Sequence, residues 1–120
     1  MKKIALANPP CKQDFAGRYE KYFIRSGSRW PHYRVKLKNW PPPYLPFPFF
    51  LAYSASLLRN KGLDVQVIDG VALDIGYDEF LEKVKKINPQ VLFYEFASST
   101  FDKDIELARE IKMHNSSVII

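Results

Sequence analysis

The chain has 120 residues and a formal net charge of +5, with 47% hydrophobic and 26% charged residues. This length corresponds to one domain, and the composition is that of an ordinary globular protein. Cys11 is the single cysteine, which excludes an internal disulfide and a cysteine-ligated metal or iron–sulfur centre within these residues. The single cysteine fits a cytosolic compartment, so we expect a cytoplasmic protein. No apolar run reaches the roughly 18 residues of a membrane span, and we expect no membrane partner.

The charge is unevenly distributed along the chain. Residues 1–60 carry eleven Lys and Arg against two acidic residues, whereas residues 61–120 carry seven against eleven. Such asymmetry favours an anionic partner for the basic half. An acidic surface elsewhere in a larger protein explains it equally well.

Short apolar runs bounded by polar, Pro or Gly residues predict buried strands. In chain order they are residues 3–8, 64–68 and 91–96, and residues 117–120 begin a fourth. Residues 9–46 show no steady hydrophobic period and hold seven of the nine prolines. We interpret this segment as a long irregular loop that covers the carboxyl edge of the sheet.

Three helices are predicted between and after these strands, over residues 48–61, 77–87 and about 99–113. Pro48 suits a first helical position and Gly62 suits a helix end, while Ser99 and Asp102 resemble a capping box. The apolar residues expected on the buried faces are Phe50, Leu51, Leu57 and Leu58, then Phe80, Leu81, Val84 and Ile87, then Phe101, Ile105, Leu107, Ala108 and Ile111.

The alternation of strands and helices predicts a three-layer α/β fold with a parallel sheet. The expected strand order is 2-1-3-4, as in flavodoxin-like (Rossmann-like) folds. Because the sequence stops within the fourth strand, we expect residues 1–120 to be a fragment of a longer protein. An uncovered edge at that strand would favour self-association.

Polar residues follow each predicted strand, and ligands of parallel sheets bind at the carboxyl ends of the strands. The candidate ligand-binding residues are Asn8 and Pro9 at the end of the first strand, Asp69 and Gly70 at the end of the second, and Ser98, Ser99 and Thr100 after the third. Each also has a purely structural explanation. Prolines end strands, an Asp-Gly pair makes a turn, and hydroxyl residues cap helices.

Other chemistries are disfavoured by the pattern. The turn after the first strand has no G-x-G-x-x-G, which disfavours a nicotinamide cofactor. His32 and His114 are isolated, without metal-ligand spacing. Residues 18–40 interleave cations and aromatic side chains, which suits single-stranded nucleic acid, a cover over a planar cofactor, or an ordinary packed loop.

Taken in order, several of these segments resemble radical S-adenosylmethionine enzymes that carry an N-terminal cobalamin-binding domain. The motifs that carry the resemblance are Asn8-Pro9-Pro10, Ser28-Arg29-Trp30-Pro31, the proline-rich residues 41–46, the helix 51–58 ahead of Gly62, residues 65–70, and the hydroxyl cluster Ser98-Ser99-Thr100. These motifs, taken in order, cover essentially the whole chain.

This resemblance implies that cobalamin binds at the carboxyl edge of the sheet, for methyl transfer or related radical chemistry. The pocket would be lined by Asn8, Pro9, Asp69, Gly70, Ser98, Ser99 and Thr100, and Trp30 would cover the corrin or meet the next domain. The D-x-H-x-x-G motif of methionine-synthase-like domains is absent after the first strand, so cobalamin would bind without a histidine ligand.

The resemblance also implies that the catalytic groups lie in a different domain of a longer protein. S-adenosylmethionine and a 4Fe-4S cluster would belong to a C-terminal barrel domain of the same polypeptide, and the C-x-x-x-C-x-x-C triplet is absent here. We therefore expect this chain alone to be non-catalytic. Two alternatives stay open, a module that binds nucleic acid through its basic aromatic loop, which we rank lower, and a scaffold domain that has lost the cofactor.

Overall fold

The computed structural model describes residues 3–10, 12–15, 19–23, 33–37, 47–96 and 98–120. For the segments between residues 12 and 37, and for Ser99, only the backbone is described. The elements are β1 (Lys3–Asn8), β2 (Lys12–Phe15), β3 (Tyr19–Phe23), β4 (Tyr33–Leu37), α1 (Phe49–Asn60), β5 (Asp64–Asp69), α2 (Tyr77–Ile87), β6 (Val91–Tyr94), a 3-10 turn (Ser98–Thr100) and α3 (Phe101–His114).

A three-stranded parallel sheet forms the centre of the fold, in the order β5-β1-β6. Ile4 lies opposite Val65 of β5 on one side and Val91 of β6 on the other. This confirms the predicted α/β class with a parallel sheet, and the order is compatible with a flavodoxin-like fold. The predicted fourth strand is reduced to one parallel bridge between Val91 and Ile119, so a four-stranded order stays a prediction.

Strand β1 is buried on both faces because helices cover both sides of the sheet. Its residues Ile4 and Leu6 pack with Leu51 and Ala55 of α1. The alternate residues of β1 are small and pack on the opposite side with α2 and α3, in a core that contains Ala5, Ala7, Ile68, Phe80, Val84, Leu92, Leu107, Ile111 and Val118. The nearly continuous apolar run of β1 is thus explained by burial from two directions.

Helix α1 begins directly after Pro48 and ends before Gly62, whose φ of 78° is the left-handed conformation that favours glycine. Leu51 and Ala55 are its buried residues. The prediction of Phe50 and Leu57 as core residues is wrong, since their exposed fractions are 67% and 61%. The helix presents the stripe centred on Leu51 and Ala55 to the sheet, and the neighbouring positions are rotated away from it.

Helix α2 has the predicted bounds, and Phe80, Leu81 and Val84 are buried as expected. In α3 the burial of Leu107 and Ile111 is confirmed. Phe101 and Ile105, also predicted to be buried, are exposed and line a groove beside β6. They lie over the outer edge of β6, where the described chain provides no strand to cover them beyond the bridge at Ile119.

The prediction of an irregular loop over residues 9–46 is wrong for part of that segment. Strands β2, β3 and β4 form a second, antiparallel sheet in that order, with Gln13 opposite Lys21 and Lys21 opposite Val35. The strands are short and rich in charged residues, so they lack the apolar runs that mark the parallel strands. None of the described helices is long and apolar enough to cross a lipid bilayer.

Candidate functional site

The ends of β1 and β5 are joined side chain to side chain. Parallel pairing places Asn8 directly opposite Asp69. The Asn8 Nδ2 group donates a hydrogen bond to Asp69 Oδ1 over 3.0 Å. Two residues that are 61 positions apart in the sequence therefore meet at the carboxyl edge of the sheet.

Asp69 also organises the turn that follows β5. Its Oδ1 atom accepts hydrogen bonds from the backbone N–H groups of Val71 and Ala72 at 3.2 and 3.1 Å. Its backbone carbonyl accepts from the N–H of Leu73 at 3.0 Å. The turn function that the Asp-Gly sequence suggests is thus present, and the same carboxylate orients the Asn8 amide.

Gly70 is packed against the end of β1. Its N–H donates to the carbonyl oxygen of Asn8 at 2.8 Å. A Cβ atom at this position would lie 2.6 Å from Cδ of Pro10 and 3.1 Å from the Asn8 carbonyl oxygen. Pro9 and Pro10 are themselves fully buried. Glycine is required here by close approach of two strand ends rather than by an unusual φ angle.

The Asn8 side chain keeps one unsatisfied polar atom. Only 7% of Asn8 is exposed, and Oδ1 is a buried oxygen without a hydrogen-bond partner, the one such side-chain atom among the residues that the structure describes. Because Nδ2 donates to a carboxylate, the free atom of the amide must be the acceptor oxygen. Unpaired buried acceptors are uncommon and point to a missing donor.

The end of β6 brings the third predicted group to the same edge. The N–H of Glu95 donates to the carbonyl of Ala7 at 3.1 Å, which ties this end to β1. Ser98 is exposed. Thr100 is buried, and its Oγ1 donates to Asp104 Oδ2 over 2.6 Å.

Two tyrosines hold the first turn of α3. Tyr94 donates its hydroxyl to the carbonyl of Asp104 at 2.7 Å, and the Tyr77 hydroxyl, from the start of α2, donates to the carbonyl of Lys103. Thr100 occupies the N-cap position without a side-chain capping bond. The Thr100–Asp104 pair lies at the start of the helix, and the capping box of Ser99 and Asp102 stays a prediction because the Ser99 side chain lies outside the described residues.

The structure thus brings Asn8, Asp69 and Gly70 into direct contact and places Ser98 and Thr100 at the end of the adjoining strand. Pro9 is fully buried. Trp30 and the Ser99 side chain lie outside the described residues, so their roles stay predictions. Asp104 was not singled out from the sequence, although its spacing of four residues from Thr100 is the signal that could have found it.

Two glutamates on the helix surfaces, away from this edge, have lowered pKa values. The pKa of Glu82 is lowered by its hydrogen bond to Lys85, and that of Glu106 by its hydrogen bond to Lys103. Both pairs are exposed on helix surfaces. In the described ranges no group of three His, Cys, Asp or Glu residues is placed to hold a metal ion.

Comparison with known proteins gives one similarity. The chain is 30% identical over 73 residues to a protein of Pyrococcus horikoshii named as an uncharacterized methyltransferase. The match covers 61% of this chain but 16% of the relative's length. No family model matches the chain, and no solved structure matches it significantly.

Proposed function

We propose that this chain is a cofactor-binding domain of a methyl-transfer protein and that it binds cobalamin at the edge formed by Asn8 and Asp69. The observation that carries the proposal is the buried, unpaired Oδ1 of Asn8 at the carboxyl end of the central parallel strand. Ligands of parallel α/β sheets bind at this edge. The similarity to a methyltransferase supports the kind of reaction.

The residues at this edge fit the chemistry of a corrin. The corrin periphery carries carboxamide side chains, whose N–H groups are the donors that Asn8 Oδ1 lacks. Asp69 fixes the amide nitrogen, so the oxygen is the atom left to accept. The exposed Ser98 hydroxyl, at the 3-10 turn before α3, offers a further donor and acceptor. None of these residues needs to ligate cobalt.

When bound, cobalamin supplies a cobalt centre that accepts and releases a methyl group. The chain's own contribution is to bind and orient the group. The Asp69 carboxylate holds the Asn8 amide in one orientation, and the Gly70–Pro10 contact keeps the two strand ends together. In the proposed longer protein, a following barrel domain would hold S-adenosylmethionine and a 4Fe-4S cluster.

Binding of hydroxocobalamin to the 120-residue chain tests the proposal. We expect the desalted protein to retain corrin absorption, and titration calorimetry to give an affinity that changes little between low and high salt, unlike phosphate-driven nucleic-acid binding. Asn8→Ala should weaken binding by about tenfold, the size of one lost hydrogen bond. Asn60→Ala, at an exposed position of α1, is the control and should bind as the wild type does.

Circular dichroism must first establish that both variants are folded. A folded wild-type chain that retains no corrin would contradict the proposed function. Binding that is equally strong in Asn8→Ala and in the wild type would leave the cofactor assignment intact but remove Asn8 from the site.

A further inference from the structure

Strand β5 is an outer strand of the parallel sheet, with β1 on one side only. Gly70, directly after β5, donates its N–H to the carbonyl of Asn8 at the end of β1. Alternate residues of a parallel strand direct both backbone groups to the same side, so the even-numbered residues of β5 face β1. The outer edge of β5 is formed by the other three residues, which are Val65, Val67 and Asp69.

Two carbonyl groups on the outer edge of β5 already have donors from the chain itself. Arg59, in the last turn of α1, donates from Nε and Nη2 to the Val65 carbonyl at 3.2 and 2.8 Å. The Asp69 carbonyl accepts the N–H of Leu73 at 3.0 Å. The edge is therefore capped at both ends, by a guanidinium group at one and by the following turn at the other.

Val67, between these two caps, is the open position of the edge. Its exposed fraction is 41%, and among the described residues none hydrogen-bonds to its outward N–H or carbonyl. It lines an open groove of about 420 Å³ whose other lining residues include Ala52, Ala55 and Ser56 of α1. Because these side chains are small, they leave the backbone of Val67 accessible to another extended segment.

An accessible strand edge is a template for pairing with another strand, and proteins commonly block such edges with charged side chains. The Arg59 guanidinium occupies the position in which an added strand would place its N–H donor. Pairing at Val65 would have to displace two hydrogen bonds from a charged group, which are stronger than those between neutral groups. Arg59 thus opposes strand addition at this edge.

The sequence of β5 suits pairing with itself. In an antiparallel pair centred on Val67, Val65 lies opposite Asp69 of the second copy, and Asp64 lies opposite Gly70 of the second copy. No two like charges face each other in this register, so the repulsion that opposes many strand pairs is absent. The β-branched residues Val65 and Val67 favour extended pairing.

We propose that the outer edge of β5 is a pairing surface for a second copy of this chain and that Arg59 keeps it closed. When Arg59 leaves the Val65 carbonyl, two β5 strands join antiparallel, and the two three-stranded sheets become continuous. The proposal does not rest on the cofactor assignment, because it uses backbone groups on the side of β5 that faces away from Asn8.

Sedimentation equilibrium of the wild type, Arg59→Leu and Lys61→Leu tests the proposal. Arg59→Leu should strengthen self-association by about tenfold or more, the size of one lost hydrogen bond to a charged group. Lys61→Leu makes the same change of charge and apolar surface at an exposed position, and it should associate as the wild type does. Association through any other surface is common to all three proteins and does not affect the comparison.

Hydrogen exchange locates the contact. In Arg59→Leu the amide of Val67 should become more protected as the protein concentration rises, whereas in the wild type its exchange should not depend on concentration. Adding Val67→Lys to Arg59→Leu should restore the wild-type association constant, because two lysines would face each other across the pair. If circular dichroism shows that Arg59→Leu is unfolded, Arg59→Lys replaces it. That variant keeps the charge but loses the fork of two donors, and it should associate several-fold more strongly than the wild type.

Three results would overturn the proposal. The first is equal self-association of the wild type and a folded Arg59 variant. The second is an increase in Lys61→Leu as large as that in Arg59→Leu. The third is protection of the Val67 amide that depends on concentration in the wild type or does not do so in the Arg59 variant.

Discussion

Gly70 and Pro10 approach so closely that a Cβ atom on the glycine would lie 2.6 Å from the proline Cδ. The contact joins the turn after β5 to the end of β1, and the Gly70 N–H bond to the Asn8 carbonyl completes it. The relative position of these two strand ends, and with it the geometry of the Asn8–Asp69 pair, therefore depends on the absence of a side chain at residue 70.

Gly70→Ser should lower the free energy of unfolding by about 1–3 kcal/mol, since the new side chain must displace Pro10 or the backbone. Urea denaturation followed by circular dichroism measures the change. Gly76→Ser is the matched control, because no atom lies within 4 Å of a Cβ at Gly76. Gly76 is also the N-cap of α2, where Ser is favoured. Equal destabilisation by both substitutions would contradict the close approach at Gly70.

Asn8→Asp should destabilise the protein in a pH-dependent way. It replaces the Nδ2 donor with a carboxylate beside Asp69 Oδ1, an atom 3.0 Å away in the wild type. Burial and the like charge both raise the pKa of the new group in the folded state above its unfolded value near 3.9. A raised folded pKa gives stability that is fully present below the unfolded pKa and is lost as the pH rises through the folded pKa.

The variant should therefore be near its best at pH 4 and about 2–4 kcal/mol less stable than the wild type at pH 7. Thermal denaturation across this pH range measures the difference between variant and wild type. Asn60→Asp, at an exposed site, should show little pH dependence beyond that of the wild type. A constant deficit for Asn8→Asp from pH 4 to pH 7 would refute the charge-repulsion explanation.

Thr100→Val tests the buried pair at the start of α3. Valine keeps the shape of threonine but removes the hydroxyl that donates to Asp104 Oδ2 at 2.6 Å. Loss of the hydrogen bond to the buried Asp104 side chain should cost about 1–3 kcal/mol of unfolding free energy. Ser98→Ala, at an exposed position of the same turn, should change stability by less than about 0.5 kcal/mol. Chemical denaturation of the two variants and the wild type measures these changes in unfolding free energy.

Two phenylalanines distinguish the covered and uncovered parts of the fold. Phe80 is fully buried, whereas Phe93 is 55% exposed. Phe80→Leu should lower the free energy of unfolding by roughly 1–3 kcal/mol through lost apolar contact and a residual cavity. Phe93→Leu should cost less than about 0.5 kcal/mol. If the two variants lose similar stability in urea denaturation, Phe93 must be covered in solution.

The parallel part of the fold could be predicted from the sequence because its apolar runs and its helix-boundary residues indicate the same strands and helices. The apolar runs of β1 and β5, Pro48 before α1 and Gly62 after it all point to the same elements. The contact between Asn8 and Asp69 follows from the same logic, since parallel strands bring their carboxyl ends to one edge.

Other features depend on information that the local pattern does not contain. Phe50 and Phe101 are apolar at helical spacing, yet whether such a residue is buried depends on which elements lie opposite it. The second sheet was missed because β3 mixes Tyr and Phe with Glu and Lys, so its pairing with β2 and β4 is decided by partners rather than by an apolar run. The unsatisfied oxygen of Asn8 is a property of three-dimensional packing.

The central position of β1 has a consequence for how the protein is made. Lys3 pairs with Asp64, and Ile4 pairs with both Val65 and Val91. During synthesis the first strand therefore leaves the ribosome long before either of its neighbours exists. Its apolar side chains lack these neighbours through that interval, and transiently exposed apolar surface of this kind favours aggregation of the nascent chain.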